Sequence, residues 1–242
     1  ISSSHCRKSW CVRLHLLFLA NSDSVVEYYH CRQEKLSVSA VKVEIQRICN
    51  MHKNLVFMDK KSLLINGVRI LGCTLWSYIP EHSRQVCEYS LMDYRRIMVE
   101  HPMDETKLTE LTAEISSQWH EEELAWIINE VKQSQDNGES AVAILTHHTP
   151  LFFGTSAQIY ETHPWKSHAT VAENDRRWTN CCFSTDLEFL LEENLSIKLW
   201  AYGHTHHNND QTVHDSRLVS NQRGYLGSIN SSYSNRCVLY VN

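Results

Sequence analysis

Two short segments constrain this chain most. Ala141-Val142-Ala143-Ile144-Leu145 is a continuous apolar run of strand length, and Ile197 to Tyr202 is another, interrupted only by Lys198. Side chains of a strand point alternately to its two faces, so a run without polar residues must be covered on both sides. That is the condition of a strand inside a parallel sheet with helices packed over it. Each run stops in a polar, histidine-rich loop: Thr146-His147-His148-Thr149-Pro150 after the first, and Gly203-His204-Thr205-His206 after the second. In an open α/β sheet the loops at the carboxyl ends of parallel strands gather at one edge, where ligands bind. The expected class is therefore α/β, with a site at that edge.

The remaining pattern supports this class. Val41, Ile45, Ile48 and Cys49 fall at helical spacing, and Leu55 to Met58 and Ser62 to Ile65 read as short strands. Asn66-Gly67 predicts a tight hairpin into Val68 to Trp76, because both central positions of such a turn need positive φ. Asp104 to Lys132 reads as helical, with Leu124, Ile127, Ile128 and Val131 on one stripe and Ser117 as a candidate cap. Thr185 followed by Glu188 predicts a capping box for a helix through Asn194. Segments around Thr212 to Ser220 and Arg236 to Val241 read as strands, and Gly154 to Phe183 as a long functional loop.

Composition narrows the partners. The formal charge is −5 and the basic residues are dispersed, which disfavours nucleic acid as a steady partner. A membrane span needs about 20 apolar residues, and Leu14 to Ala20 is too short to supply one. Nine cysteines without a C-x-x-C spacing, Cys181 and Cys182 being adjacent, read as reduced thiols, hence a cytoplasmic protein. Residues 1–24 have no clear period and read as a leader of unknown origin. The chain begins at Ile1 rather than methionine, which reads as a fragment or an altered start.

The histidines carry the chemistry. Neutral imidazole is a good ligand for zinc, iron or manganese. On an extended backbone His204 and His206 would point to one side. In a chain with 15 histidines a bare H-x-H is more often structural than ligating, but a second histidine loop at a parallel strand end shifts that balance.

At this point the chain resembles the calcineurin-like metallophosphoesterase family. His147 with its proline-containing loop resembles that family's fourth motif, and Gly203-His204-Thr205-His206 its last. Ile70 to Trp76 and Asn221 to Tyr225 resemble structural segments of one group of these proteins. The resemblance runs from about residue 25 to residue 242 and implies a partial phosphoesterase domain, a truncated β-sandwich flanked by helices. It implies His147, His204 and His206 as metal ligands, with His148 secondary, and His204 as the residue facing the phosphoryl group of a phosphoester substrate.

The family pattern also needs D-x-H, G-D and G-N-H-[DE] segments earlier in the chain. No D-x-H occurs, and the first glycine is Gly67. Glu27-Tyr28-Tyr29 resembles the tail of a G-N-H-E-Y-Y segment, but Ser24, Val25 and Val26 precede it. Two divalent ions roughly 3.5 to 4 Å apart need a bridging carboxylate to offset their repulsion. Three neutral imidazoles cannot supply it, so at most one weakly bound divalent ion (Mn, Fe or Zn) is expected. The implied function is metal-dependent phosphoester hydrolysis, impaired in the chain as it stands. The alternatives are an inactive remnant that acts as a binding protein, and an unrelated interaction domain with structural histidines. Trp165, Lys166, Arg176, Arg177 and Trp178 are candidate substrate contacts in the long loop.

Overall fold

The order of the strands follows from the two buried runs. In the computed structural model, which describes residues 36–161, 180–225 and 228–241, Lys61–Ile65 (β1) and Val68–Gly72 (β2) form a hairpin closed by Asn66 and Gly67, with φ of 51° and 84°. Next come the small hairpin of Met98–His101 (β3) and Asp104–Glu110 (β4), then Ala141–Leu145 (β5) and Ile197–Ala201 (β6). Asn209–Val213 (β7) and Ser216–Ser220 (β8) form a hairpin, and Gly224–Tyr225 (β9) pairs with Ser228–Ile229 (β10). The main sheet has six strands in the order β1-β2-β5-β6-β8-β7. Its four inner strands are mutually parallel, and only β1 and β7 at the edges run antiparallel. All five residues of β5 are buried.

The helices are Val38–Asn50 (α1), Glu81–Ser90 (α2), Asp93–Arg96 (α3), Ala113–Asp136 (α4) and Glu188–Glu193 (α5). One sheet face, through Leu71, Val142, Ile144, Trp200 and Leu218, packs on Ile127 and Val131 of α4 and on Leu190 and Leu191 of α5. The other face is thinly covered. Ala143, Leu199 and Val219 are buried there, whereas Val68, Ile70, Ala201, Leu239 and Val241 are only partly so. A second core joins α2, α3 and β3 to the amino-terminal end of α4 through Ile79, Leu91, Tyr94, Ile97, Val99 and Leu111. No helix among the described residues is long and apolar enough to cross a membrane.

The α/β class is present, and several local expectations need correction. Among the described residues the other two sheets are two-stranded, so no second large sheet faces the first. Leu55 to Met58 is not a strand. It crosses the end of β2, where a side chain at Gly72 would come within 2.6 Å of Met58 Cβ, so only glycine fits. Asp104 to Glu110 is a strand, and the long helix begins after it. Its cap is Thr112, whose side chain accepts from Ile115 N, rather than Ser117, whose hydroxyl donates to the Ala113 carbonyl inside the helix. The Thr185 capping box does not form, because Thr185 Oγ1 accepts from Tyr78 N and Leu187 precedes α5 without a side-chain cap. Arg236 to Val241 is not a strand. The leader, Glu27 to Tyr29, and Trp165, Lys166, Arg176, Arg177 and Trp178 lie outside the described residues.

The reading of reduced thiols fails for one pair. Cys87 in α2 and Cys182 are disulfide-bonded across 95 residues. Spacing rules detect only local pairing, and this bond is made by tertiary packing in the second core. In the chain-entropy account, a closed loop of this size is worth on the order of 4 to 5 kcal/mol. Cys87→Ser should therefore lower the unfolding free energy by about 2 to 5 kcal/mol in non-reducing urea titrations. A loss below about 1 kcal/mol would show that the bond contributes nothing in solution.

Candidate metal centre

The two histidine loops are held together by main-chain bonds that continue the parallel pairing past the strand ends. Thr146 N–H donates to the Ala201 carbonyl at 2.9 Å, and Gly203 N–H donates to the His147 carbonyl at 3.0 Å. On the other side, His147 and His148 N–H both donate to the Thr74 carbonyl, at 3.0 and 3.1 Å. Tyr202 N–H reaches Val219 O at 3.1 Å. Beneath them, the buried Trp200 ring donates to Thr146 Oγ1 at 3.0 Å, and that hydroxyl donates to the His148 carbonyl at 2.7 Å. Three adjacent parallel strands thus deliver their carboxyl-terminal loops to one point.

At that point His147, His148 and His204 offer ring nitrogens that all lie within 4.8 Å of one another. The His204 ring stands 4.5 Å from that of His147 and is stacked on that of His148 at 4.3 Å between centroids. Ser77 Oγ sits 2.8 Å from His148 Nδ1, which leaves Nε2 of that ring as its candidate ligand atom. Such outer partners fix the tautomer and orientation of a ligating histidine. His206 lies outside this group. Its N–H donates to Gln222 Oε1 at 2.8 Å and its carbonyl accepts from Asn230. The expected two-residue period requires extended backbone, but His204 and His206 have φ of 68° and 51°, so that period does not relate their rings.

Burial favours the neutral form of His148, His204 and His206. It holds His204 down to about 3, with His206 adding to the effect, and it lowers His206 as well. His148 is pushed well below its ordinary value by burial and then by His204, His147 and His120. Neutral imidazole is the ligating form. His204 Nε2 is shielded from solvent and has no hydrogen-bond partner among the described residues, a costly arrangement for a buried polar atom.

A second layer was not anticipated from the sequence. Ser117, His120 and Glu123 lie three apart on α4 and grip the loop that follows β2. Glu123 accepts from Trp76 N at 3.1 Å, His120 Nδ1 contacts the Trp76 carbonyl, and Ser117 accepts from Ile79 N at 3.0 Å. This clamp fixes the turn at Leu75, whose φ is 49°, and so places Ser77 under His148. Asp93, also unanticipated, is a buried carboxyl raised by burial, with His147 pulling it the opposite way. The sequence did contain a signal, a polar stripe at helical spacing on the buried side of α4.

The donor set fits one ion. Three imidazole nitrogens from two adjacent strand ends match the preference of zinc and its neighbours. The set does not fit a pair, because no carboxylate among the described residues belongs to the group. The fold and this edge thus define an α/β protein with a three-histidine centre at the carboxyl ends of its parallel strands. No family model matches the chain. It is 28% identical over 199 residues to an uncharacterized protein of Acanthamoeba polyphaga mimivirus, an alignment that covers 82% of this chain and 65% of the viral protein. The chain therefore spans just under two thirds of that relative's length.

The buried groups set a pH dependence. Burial holds His120 near 4 and His204 near 3, against an ordinary 6.5, so their stabilising effect is complete above 6.5 and is lost as pH falls toward those values. Glu123 acts in the opposite sense. Burial raises it from 4.5 to about 7, so its contribution is complete below 4.5 and is lost as pH rises through 7. Several histidines oppose one glutamate. In chelator, the unfolding free energy should fall from pH 7 to pH 5, and Glu123→Gln should make that fall steeper. A flat or rising profile would show that these rings are solvated.

Proposed function

We propose that this chain carries the histidine side of a metallophosphoesterase-type centre and binds one divalent ion of the zinc class through His147, His148 and His204. The observation that carries the reading is the convergence of three imidazoles from two parallel strand ends on one point at the carboxyl edge. In this reading His204, stacked on His148 and backed by Phe183 at 5.4 Å, faces the phosphoryl group of a phosphoester. Ser77 and the α4 clamp hold His148 in its ligating orientation. A bound ion of this class supplies Lewis-acid polarisation of a phosphoryl oxygen.

Turnover by these 242 residues alone is expected to be negligible. Two-metal hydrolysis depends on clamping the attacking and leaving oxygens together, and half of such a site does not retain half of the effect. No carboxylate among the described residues belongs to the histidine group, which supports ion binding without catalysis in this reading. A longer chain that adds D-x-H, G-D and G-N-H segments is expected to hydrolyse phosphoesters.

Elemental analysis and calorimetry with zinc test this reading. One ion per chain is expected, with affinity reduced at least about tenfold in His148→Ala and His204→Ala, in keeping with loss of one of three ligands. His206→Ala should change it far less, because His206 lies outside the group. Equal losses in His206→Ala and His148→Ala, or two tightly retained ions, would overturn the assignment of ligands. Robust manganese-dependent hydrolysis of an aryl phosphate diester by this chain would overturn the impaired-catalysis reading.

A further inference from the structure

Outside the histidine centre, three sulfurs converge in the second core. Cys87, Cys181 and Cys182 are each fully buried, and their sulfurs all lie within 4.8 Å of one another. The structure bonds Cys87 to Cys182, yet Cys181 Sγ stands 3.7 Å from Cys87 Sγ. That separation is van der Waals contact between sulfurs, the starting arrangement for attack of a thiolate on a disulfide. Adjacent residues rarely direct both side chains at one partner. Here the short helical turn through residues 180–182, in which Phe183 and Ser184 N–H both return to the Asn180 carbonyl, turns both cysteines toward α2.

We propose that Cys87 is the pivot of a buried thiol–disulfide exchange site, bonded to Cys182 in one state and to Cys181 in the other. The step balances without an external oxidant. The Cys181 thiolate attacks Cys87 Sγ, the Cys87–Cys182 bond breaks, and Cys182 leaves as a thiolate that takes up the proton Cys181 gave up. Burial raises the Cys181 thiol to about 12, so exchange waits on loosening of this core. The segment is coupled to the histidine edge. Thr149 N–H donates to the Phe183 carbonyl at 3.1 Å, and the Phe183 ring stands 5.4 Å from that of His204. A change of partner by one residue therefore moves the wall of that edge. The exchange itself does not depend on whether a metal binds there.

The test uses the full chain equilibrated in a glutathione redox buffer, acid-quenched, alkylated and mapped by fragmentation between residues 181 and 182. Cys182→Ala is expected to retain a disulfide, now Cys87–Cys181, and to protect Cys87 from alkylation as well as Cys181→Ala does. The double variant should lose that protection. Alkylation of Cys87 in Cys182→Ala to the same extent as in the double variant, in protein shown to be folded by circular dichroism, would overturn the proposal. If Cys182→Ala does not fold, the wild-type chain decides. Label divided between Cys181 and Cys182 supports exchange, and label on Cys181 alone overturns it.

Discussion

The centre rests on the main-chain bond from Gly203 N–H to the His147 carbonyl, the last rung of the β5–β6 pairing. Parallel strands need crossover helices and long-range closure, and the return on that entropy is a rigid shared edge. Here the ladder runs past the residues that count as strand and into the loops, so the histidines inherit the register of the sheet. The neighbouring rung, His147 and His148 sharing the Thr74 carbonyl, ties the β2 loop into the same frame. Leu75, His204 and His206 adopt left-handed φ around that frame. A non-glycine residue in this region costs on the order of 1 kcal/mol or more, and it persists only where surrounding bonds fix it. Three of the six non-glycine residues with left-handed φ among the described residues lie at the edge that the ladder stiffens.

The α4 clamp works by the opposite economy, because it buries polar groups to fix a loop. Glu123 and His120 are both taken from water, and they answer the two main-chain polar groups of Trp76, the N–H and the carbonyl. A buried polar network is costly when partly satisfied and specific when complete. Burial moves the glutamate toward its protonated form and the histidine toward its neutral form, so the pair enters the core with little charge. What is gained is position: Ser77 is set under His148, and the His148 ring is presented to its neighbours.

The sequence disclosed the sheet better than the site. Ala141 to Leu145 and Ile197 to Ala201 were legible because residues buried on both faces must be apolar, a rule that tertiary context does not override. Asn66-Gly67 was legible because two consecutive positive φ values leave few alternatives. The edge strand Asp104 to Glu110 was not, since a small exposed hairpin needs no apolar alternation. The Cys87–Cys182 bond was invisible because it spans distant parts of the chain. His147 and His204 were picked out from their strand-end context, and the structure brings their rings together with that of His148 rather than that of His206. The orientation of the His148 ring is set by a hydroxyl, Ser77, from the loop that follows β2, which local spacing does not reveal.

The donor set also decides what kind of ion this edge can attract. Hard ions such as magnesium and calcium hold oxygen ligands and require charge from carboxylates. Three imidazoles offer none, and burial holds His148 and His204 below the ordinary imidazole value, so these rings present nitrogen lone pairs. Moving a dication to buried rings is costly unless covalent character in the metal–nitrogen bonds offsets the lost hydration. First-row transition ions and zinc supply that character, and the alkaline-earth ions do not. Asp93, a buried carboxyl, is not among the residues of the nitrogen group. In the proposed reading no carboxylate among the described residues joins the three nitrogens, so a single ion would be held by ligand softness and not by electrostatic attraction.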